Sequence, residues 1–281
     1  MRRRNAIAGI LASAALASMP VLAGGLTGKI QGSAVVHSKE SLAKAIASGW
    51  VALPGTLTGG SLYEGPLAQA PKTKGKAASL IFVHGSGGLN NNIKAFQKWL
   101  AEKLGIASFT LDSFQLPDRM TYSSPIPKAD YEKIHSLRSS ELTAAVDWLK
   151  TAPWFDGRFV IAGTSEGAVA VARYVKTASA PAERGRIIFS WSCEDNYHVE
   201  SHKTSIPDDL PILNIMSATD KYFSKANSYL GNDAALGHCG NALAKNTVSS
   251  IVLIPGAPHT LMNLPQAREA VEGFLKDRLL N

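Results

Sequence analysis

Gly163-Thr164-Ser165-Glu166-Gly167 sits between two apolar runs, Phe159-Val160-Ile161-Ala162 before it and Ala168-Val169-Ala170-Val171-Ala172 after it. The first run reads as a buried strand and the second as a buried helix. A chain that passes from strand to helix in so few residues turns sharply, and the residue at the tip takes a strained backbone conformation. Gly163 and Gly167 supply the neighbours without side chains that such a turn needs. The turn lifts the Ser165 hydroxyl above a sheet, and the amides at the helix start face any negative charge that develops beside it. The segment therefore demands a layered α/β fold and offers Ser165 as a nucleophile.

A serine hydroxyl is a weak nucleophile at neutral pH and needs a general base, itself oriented by a carboxylate. After a strand–serine–helix turn of this kind, the acid precedes the histidine along the chain. Pro211-Ile212-Leu213-Asn214-Ile215-Met216 reads as a strand, and Ser217-Ala218-Thr219-Asp220 follows it. Ser250-Ile251-Val252-Leu253-Ile254 reads as the next, and Pro255-Gly256-Ala257-Pro258-His259 follows that. Groups at the carboxyl ends of parallel strands converge, which brings Ser165, Asp220 and His259 together. Taken singly, Asp220 also fits a helix N-cap and His259 a loop residue; their order behind Ser165 favours catalysis. Asp195, Asp208, Asp209 and Asp233 compete as the acid, but none directly follows so clear a strand.

Acyl transfer also needs donors for an oxyanion. Ser79-Leu80-Ile81-Phe82-Val83 reads as a strand, and the Gly-rich turn His84-Gly85-Ser86-Gly87-Gly88 follows it. The donors are the amide of Ser86, with Gly87 as the substitute, and that of Glu166. His84 reads as structural, bonding neighbouring loops. The Glu166 side chain is either a solvated charge at a helix start or part of a pocket mouth.

Together with Leu111-Asp112-Ser113-Phe114, these segments resemble the dienelactone hydrolase-related branch of the α/β-hydrolases, from about residue 60 to residue 280. The resemblance implies an eight-stranded, mostly parallel sheet flanked by helices on both faces, a Ser/Asp/His triad and hydrolysis of an ester-like bond. It implies a structural role for Asp112. Dienelactone hydrolases use a cysteine nucleophile; serine at position 165 points instead to a serine esterase acting through an acyl-enzyme. An aspartate nucleophile of the dehalogenase kind is excluded by Ser165, and nothing marks a peptide subsite. The reading calls for no cofactor and no metal. The rival is a catalytically silent scaffold that binds a ligand or partner, since a fold alone does not guarantee activity.

The N-terminus has a different character. Arg2-Arg3-Arg4 precedes an apolar, small-residue run over 6–17, and Val21-Leu22-Ala23 offers a cleavage site. That is the form of a signal peptide over 1–23, which leaves one catalytic domain over 24–281. Export to a periplasm or beyond follows, with no stable membrane association once the signal is removed. Without those arginines, 29 basic residues become 26 against 22 acidic ones, and the net charge falls from +7 to +4. Lys72, Lys74 and Lys76 read as an exposed turn, and no basic helix or aromatic-interleaved stripe suggests nucleic acid. The partner is a small-molecule ester.

Hydrophobic periodicity predicts helices over 39–48, capped by Ser38, and over 92–103, 131–150 and 266–279. Strands are predicted over 107–111 and 187–191, with antiparallel edge strands over 50–53 and 60–63. In an exported chain, two cysteines in loops after neighbouring strands pair more readily than they stay free, which joins Cys193 to Cys239. Metal binding with His198, His202 and His238 is the rival, without a tight ligand spacing to support it. Phe114, Trp191, Tyr222, Phe223 and Met262 flank the catalytic turns as candidate pocket residues, and the loop over 116–128, with Tyr122, is a candidate wall.

Overall fold

The computed structural model describes residues 26–281; the predicted signal segment lies outside them. In chain order the elements are β1 (Ile30–Gln31), α1 (Lys39–Ala47), β2 (Trp50–Leu53), α2 (Gly55–Thr58), β3 (Tyr63–Pro66), β4 (Ala77–Val83), α3 (Asn91–Leu104) and β5 (Ala107–Thr110). There follow β6 (Thr121–Tyr122), α4 (Lys128–Leu149), β7 (Phe155–Thr164), α5 (Glu166–Arg173), β8 (Arg186–Phe189), β9 (Ile212–Ser217), β10 (Ser249–Ile254) and α6 (Pro265–Leu275).

Eight strands form one sheet in the order β10-β9-β8-β7-β4-β5-β2-β3. Six of them, from β10 to β5, run parallel, and β2 is antiparallel to both β5 and β3. The central strands are apolar on both faces because both are covered. Leu80, Phe82, Val160 and Ala162 pack with Ile93, Phe96 and Leu100 of α3 and with Val271 of α6. The alternate residues Ile81, Val83, Phe159 and Ile161 pack with Ile134 and Leu142 of α4 and with α5. This two-residue alternation is the side-chain period of a strand.

Local chemistry sets the element ends. The Ser38 hydroxyl accepts the Ser41 amide at 3.2 Å to open α1. Asn90 does the same for α3 with the amides of Asn92 and Ile93, and Gly105 at φ 66° closes that helix. Several boundaries differ from the sequence reading: α4 starts three residues early, at Lys128, and β8 ends at Phe189. The edge strand predicted over 60–63 begins only at Tyr63, because Gly59 and Gly60 at φ 90° and 127° close the single turn of α2 instead. The last helix is regular only to Leu275 and continues as a wider π turn, Lys276–Leu280.

A second, two-stranded sheet pairs β1 with β6, Ile30 opposite Tyr122. It straps the start of the described chain across the loop that carries Tyr122. The close fit is visible at Gly28, where an added Cβ would meet the Ser123 carbonyl oxygen at 2.0 Å.

Candidate active site

Ser165 lies between β7 and α5 at φ 54°, ψ −122°, a conformation that side-chain-bearing residues rarely take. Its amide donates to the Phe189 carbonyl at 3.0 Å, and its carbonyl accepts from Ala168 at 2.9 Å, so both ends of the turn are fixed. The glycines are sterically required. A Cβ on Gly167 would meet the Val83 carbonyl oxygen at 2.2 Å, and one on Gly163 would meet the Gly167 carbonyl oxygen at 2.8 Å.

Asp220 follows β9 and is buried. Its Oδ2 accepts from His259 Nδ1 at 2.7 Å, and its Oδ1 accepts the amides of Tyr222 and Phe223, each at 2.9 Å. Burial pushes the carboxyl up, but the hydrogen bond and charge of His259 and the two amides outweigh it and hold Asp220 below the usual range. Capping and orienting, the two roles weighed for Asp220, are thus served by different oxygens of one carboxylate.

With Nδ1 committed as donor to Asp220, the His259 Nε2 lone pair is the free acceptor. Among the described residues Nε2 has no hydrogen-bond partner, and no direct bond joins it to Ser165. Both residues line one cavity of about 620 Å³. Two residues to which the sequence reading gave no role hold the His259 loop: Ser190 donates to the His259 carbonyl, and Ser217 donates to the Ala257 carbonyl at 2.7 Å. Serines at strand ends carry no motif, so only the fold reveals them.

Ser86 and Gly87 line the same cavity, in a turn closed by the Gly88 amide on the Gly85 carbonyl at 3.1 Å. Glu166 opens α5, where an amide has no acceptor within its own helix. Its side chain answers to neither reading offered for it: it is buried, with Oε1 at 2.8 Å from Arg119 Nη2. The local pattern of a charged residue at a helix start hid the two distant arginines that meet it. His84 is buried between loops and accepts the Ser113 amide at 3.2 Å. Asp112 caps the following turn through the Phe114 amide at 3.1 Å.

Tyr222, Phe223 and Met262 line the cavity, but Phe114 and Trp191 do not. Phe114 is 42% exposed and lies under the Arg119 guanidinium, on the outer side of the Asp112-capped turn. Trp191 is in the core, edge-on to Phe223 at 4.9 Å, and supports that residue from behind. The candidate wall contributes Tyr122, Ser123 and Ser124, joined by Tyr197, His198 and Tyr229, which sequence reasoning missed. Tyr122 and His198 are bonded to each other at 3.0 Å, and burial drives His198 well below the ordinary imidazole value. The three residues from other loops carry no pattern that marks them in sequence.

Asp195, the main competitor for the acid, is exposed and accepts the His202 amide at 2.7 Å. A disulfide joins Cys193 to Cys239, with Cα atoms 4.7 Å apart. The cysteines are therefore spent on each other, and no group of three metal-ligating side chains occurs among the described residues.

Neither a scan of protein-family models nor a search of curated proteins gives a match. Solved structures do resemble the chain. Est1E from Butyrivibrio proteoclasticus is 16% identical with a TM-score of 0.51, over 83% of this chain and 94% of its own. A dienelactone hydrolase-like promiscuous phosphotriesterase from metagenomic libraries is 14% identical with a TM-score of 0.52, over 91% of this chain and 100% of its own. An α/β serine hydrolase without a lid from Xanthomonas campestris is 14% identical with a TM-score of 0.50, over 82% and 88% respectively. These likenesses establish the fold: the sheet and its flanking helices take the α/β-hydrolase arrangement.

Proposed function

We propose that the protein is an exported serine hydrolase that cleaves a small carboxylic ester through Ser165, His259 and Asp220. The observation that carries this reading is the 2.7 Å Asp220–His259 contact, which leaves His259 Nε2 free in the cavity that Ser165 enters from a strained turn. In the first step Ser165 Oγ bonds to the ester carbonyl carbon while His259 Nε2 takes its proton. The oxyanion is received by the amides of Glu166 and of Ser86 or Gly87. Collapse breaks the carbon–oxygen bond of the leaving alkoxide, to which His259 returns the proton as the alcohol departs. Water then attacks the acyl-enzyme by the same route and releases the acid. Asp220 stays ionised and holds the tautomer throughout.

The disulfide supports export, because such bonds persist in oxidising compartments. No described helix is long and apolar enough to cross a membrane.

The test is fluorophosphonate labelling followed by a panel of nitrophenyl esters of rising chain length. Wild-type protein takes the label, and Ser165→Ala loses it together with about 10⁴–10⁶-fold of turnover. Labelling that survives the substitution defeats the assignment of Ser165. A folded wild-type protein that neither labels nor hydrolyses any ester is the silent scaffold instead.

A further inference from the structure

Behind the Ser165 turn lies a cluster of buried charges that the steps above do not use. Glu166 is 0% and Arg138 1% exposed, with Arg119 and Glu141 buried beside them. Buried ion pairs are a weak source of stability, because desolvation offsets most of their attraction. Their arrangement is more informative than their number.

Arg138 reaches two other pieces of the chain as well as a neighbour on its own helix, α4. Its Nη2 donates to the His84 carbonyl at 2.8 Å, its Nη1 donates to the Glu141 carboxylate, and its Nε lies 3.4 Å from Glu166 Oε1. The His84 carbonyl begins the turn that brings Ser86 and Gly87 into the cavity. Glu166 carries the other amide assigned to the oxyanion. One rigid guanidinium therefore spans both halves of that hole.

A second path closes the ring. Arg119 holds the same Glu166 oxygen at 2.8 Å and donates through Nε to Ser113 Oγ at 2.7 Å. The Ser113 amide in turn donates to His84 Nε2 at 3.2 Å. The two turns are also in near contact, since a Cβ on Gly85 would lie 3.3 Å from that of Ser165. Neither turn can shift alone without straining this ring.

We propose that Arg138 and Glu166 are positioning residues that fix the spacing of the two oxyanion-binding turns. The inference rests on the reading of Ser165 as nucleophile. A planar fork suits the task, because it makes several fixed hydrogen bonds at once; a lysine ammonium carries the charge without the fork.

The experiment uses two charge-conserving variants, Arg138→Lys and Glu166→Asp, in the full chain. Misplacing reacting groups by about 1 Å costs on the order of 10²-fold. Each variant should therefore lose about 10- to 100-fold in kcat on a nitrophenyl ester, with KM changed by less than about threefold. Affinity for an alkylboronic acid, whose boron bonds to Ser165 Oγ and places an oxygen in the oxyanion position, should fall by a similar factor. Arg186→Lys is the control, since Arg186 is equally buried and paired with Glu183 at the far end of the sheet. It should lower the melting temperature while kcat and boronate affinity hold.

Folded variants with unchanged kcat and boronate affinity overturn the proposal, as does a loss confined to KM. If neither variant folds, the cluster serves folding and the proposal also fails. Wild-type protein that neither hydrolyses esters nor takes the fluorophosphonate label overturns the underlying reading instead.

Discussion

Asp220 carries two duties on two oxygens, and this makes its contribution separable from that of its loop. Oδ1 ties the turn together through two amides, whereas Oδ2 serves only His259. Asp220→Asn can keep the amide acceptor on the Oδ1 side while the carboxamide no longer fixes the His259 tautomer. Turnover should then fall by on the order of 10⁴ with the fold intact, as measured by ester kinetics beside circular dichroism. Asp195→Asn, on an exposed side chain, should leave kcat near wild type; a larger loss there would move the acid to the loop after Trp191. Asp220, His259 and Ser165 were legible because each directly follows an apolar strand, so backbone direction alone brings them to one edge. Glu166 was misjudged because the side chains that decide its surroundings, Arg119 and Arg138, lie far off in sequence.

Among the elements, the loops after β8 and β9 act as one unit. Beyond the Cys193–Cys239 bond, buried Asn214 of β9 donates to the Ile188 and Trp191 carbonyls at 3.0 and 3.1 Å and accepts the Cys239 amide at 3.0 Å. Glu194 accepts the amides of Leu236 and Gly237 at 2.6 and 3.0 Å. The pairing of parallel β8 with β9 brings these loops together, and the elements themselves were readable from periodicity. Asn214 was not, because an asparagine inside an apolar strand gives no hint of which loops it will bond. The bridge closes a separation of 46 residues, and a constraint of this kind contributes about 2–4 kcal/mol, mostly by restricting the unfolded chain. Non-reduced mass spectrometry should show one peptide pair, and reduction should lower the melting temperature by several degrees. Two freely alkylatable thiols in the native protein, purified without reductant, would contradict the bond.

Over the whole molecule, three buried histidines make the fold sensitive to mild acid. Burial first, and then nearby positive charge, holds His84 and His198 well below the ordinary imidazole value and brings His135 to about 4. Arg138 and Arg119 face His84 against the single carboxylate of Glu141, and Arg173 faces His135 against Glu132 and Glu166. Arg173 adds fixed positive charge near His198, and a proton on His135 would add more. In the unfolded chain each imidazole protonates near pH 6.5. Below that pH the unfolded state binds more protons than the folded one, so stability falls as the pH drops toward the folded values. Each such histidine removes up to about 1.4 kcal/mol per pH unit across that window. The carboxylates act later. Although burial alone would raise them, Arg173 holds Glu132 and Arg138 holds Glu141 at about 2, so their stabilisation is lost only as the pH falls below about 4.5. Urea unfolding at pH 7.5, 6.5, 5.5 and 4.5 should therefore show midpoints that fall slightly between the first two and more steeply between 6.5 and 5.5, above the range in which most carboxylates titrate. Replacing His135, whose Nε2 bonds the His198 carbonyl at 3.0 Å, by Gln should flatten that slope while costing some stability at pH 7.5. A stability that stays level from pH 6.5 to 4.5 would mean that the histidines are protonated in the folded protein without cost, against their burial.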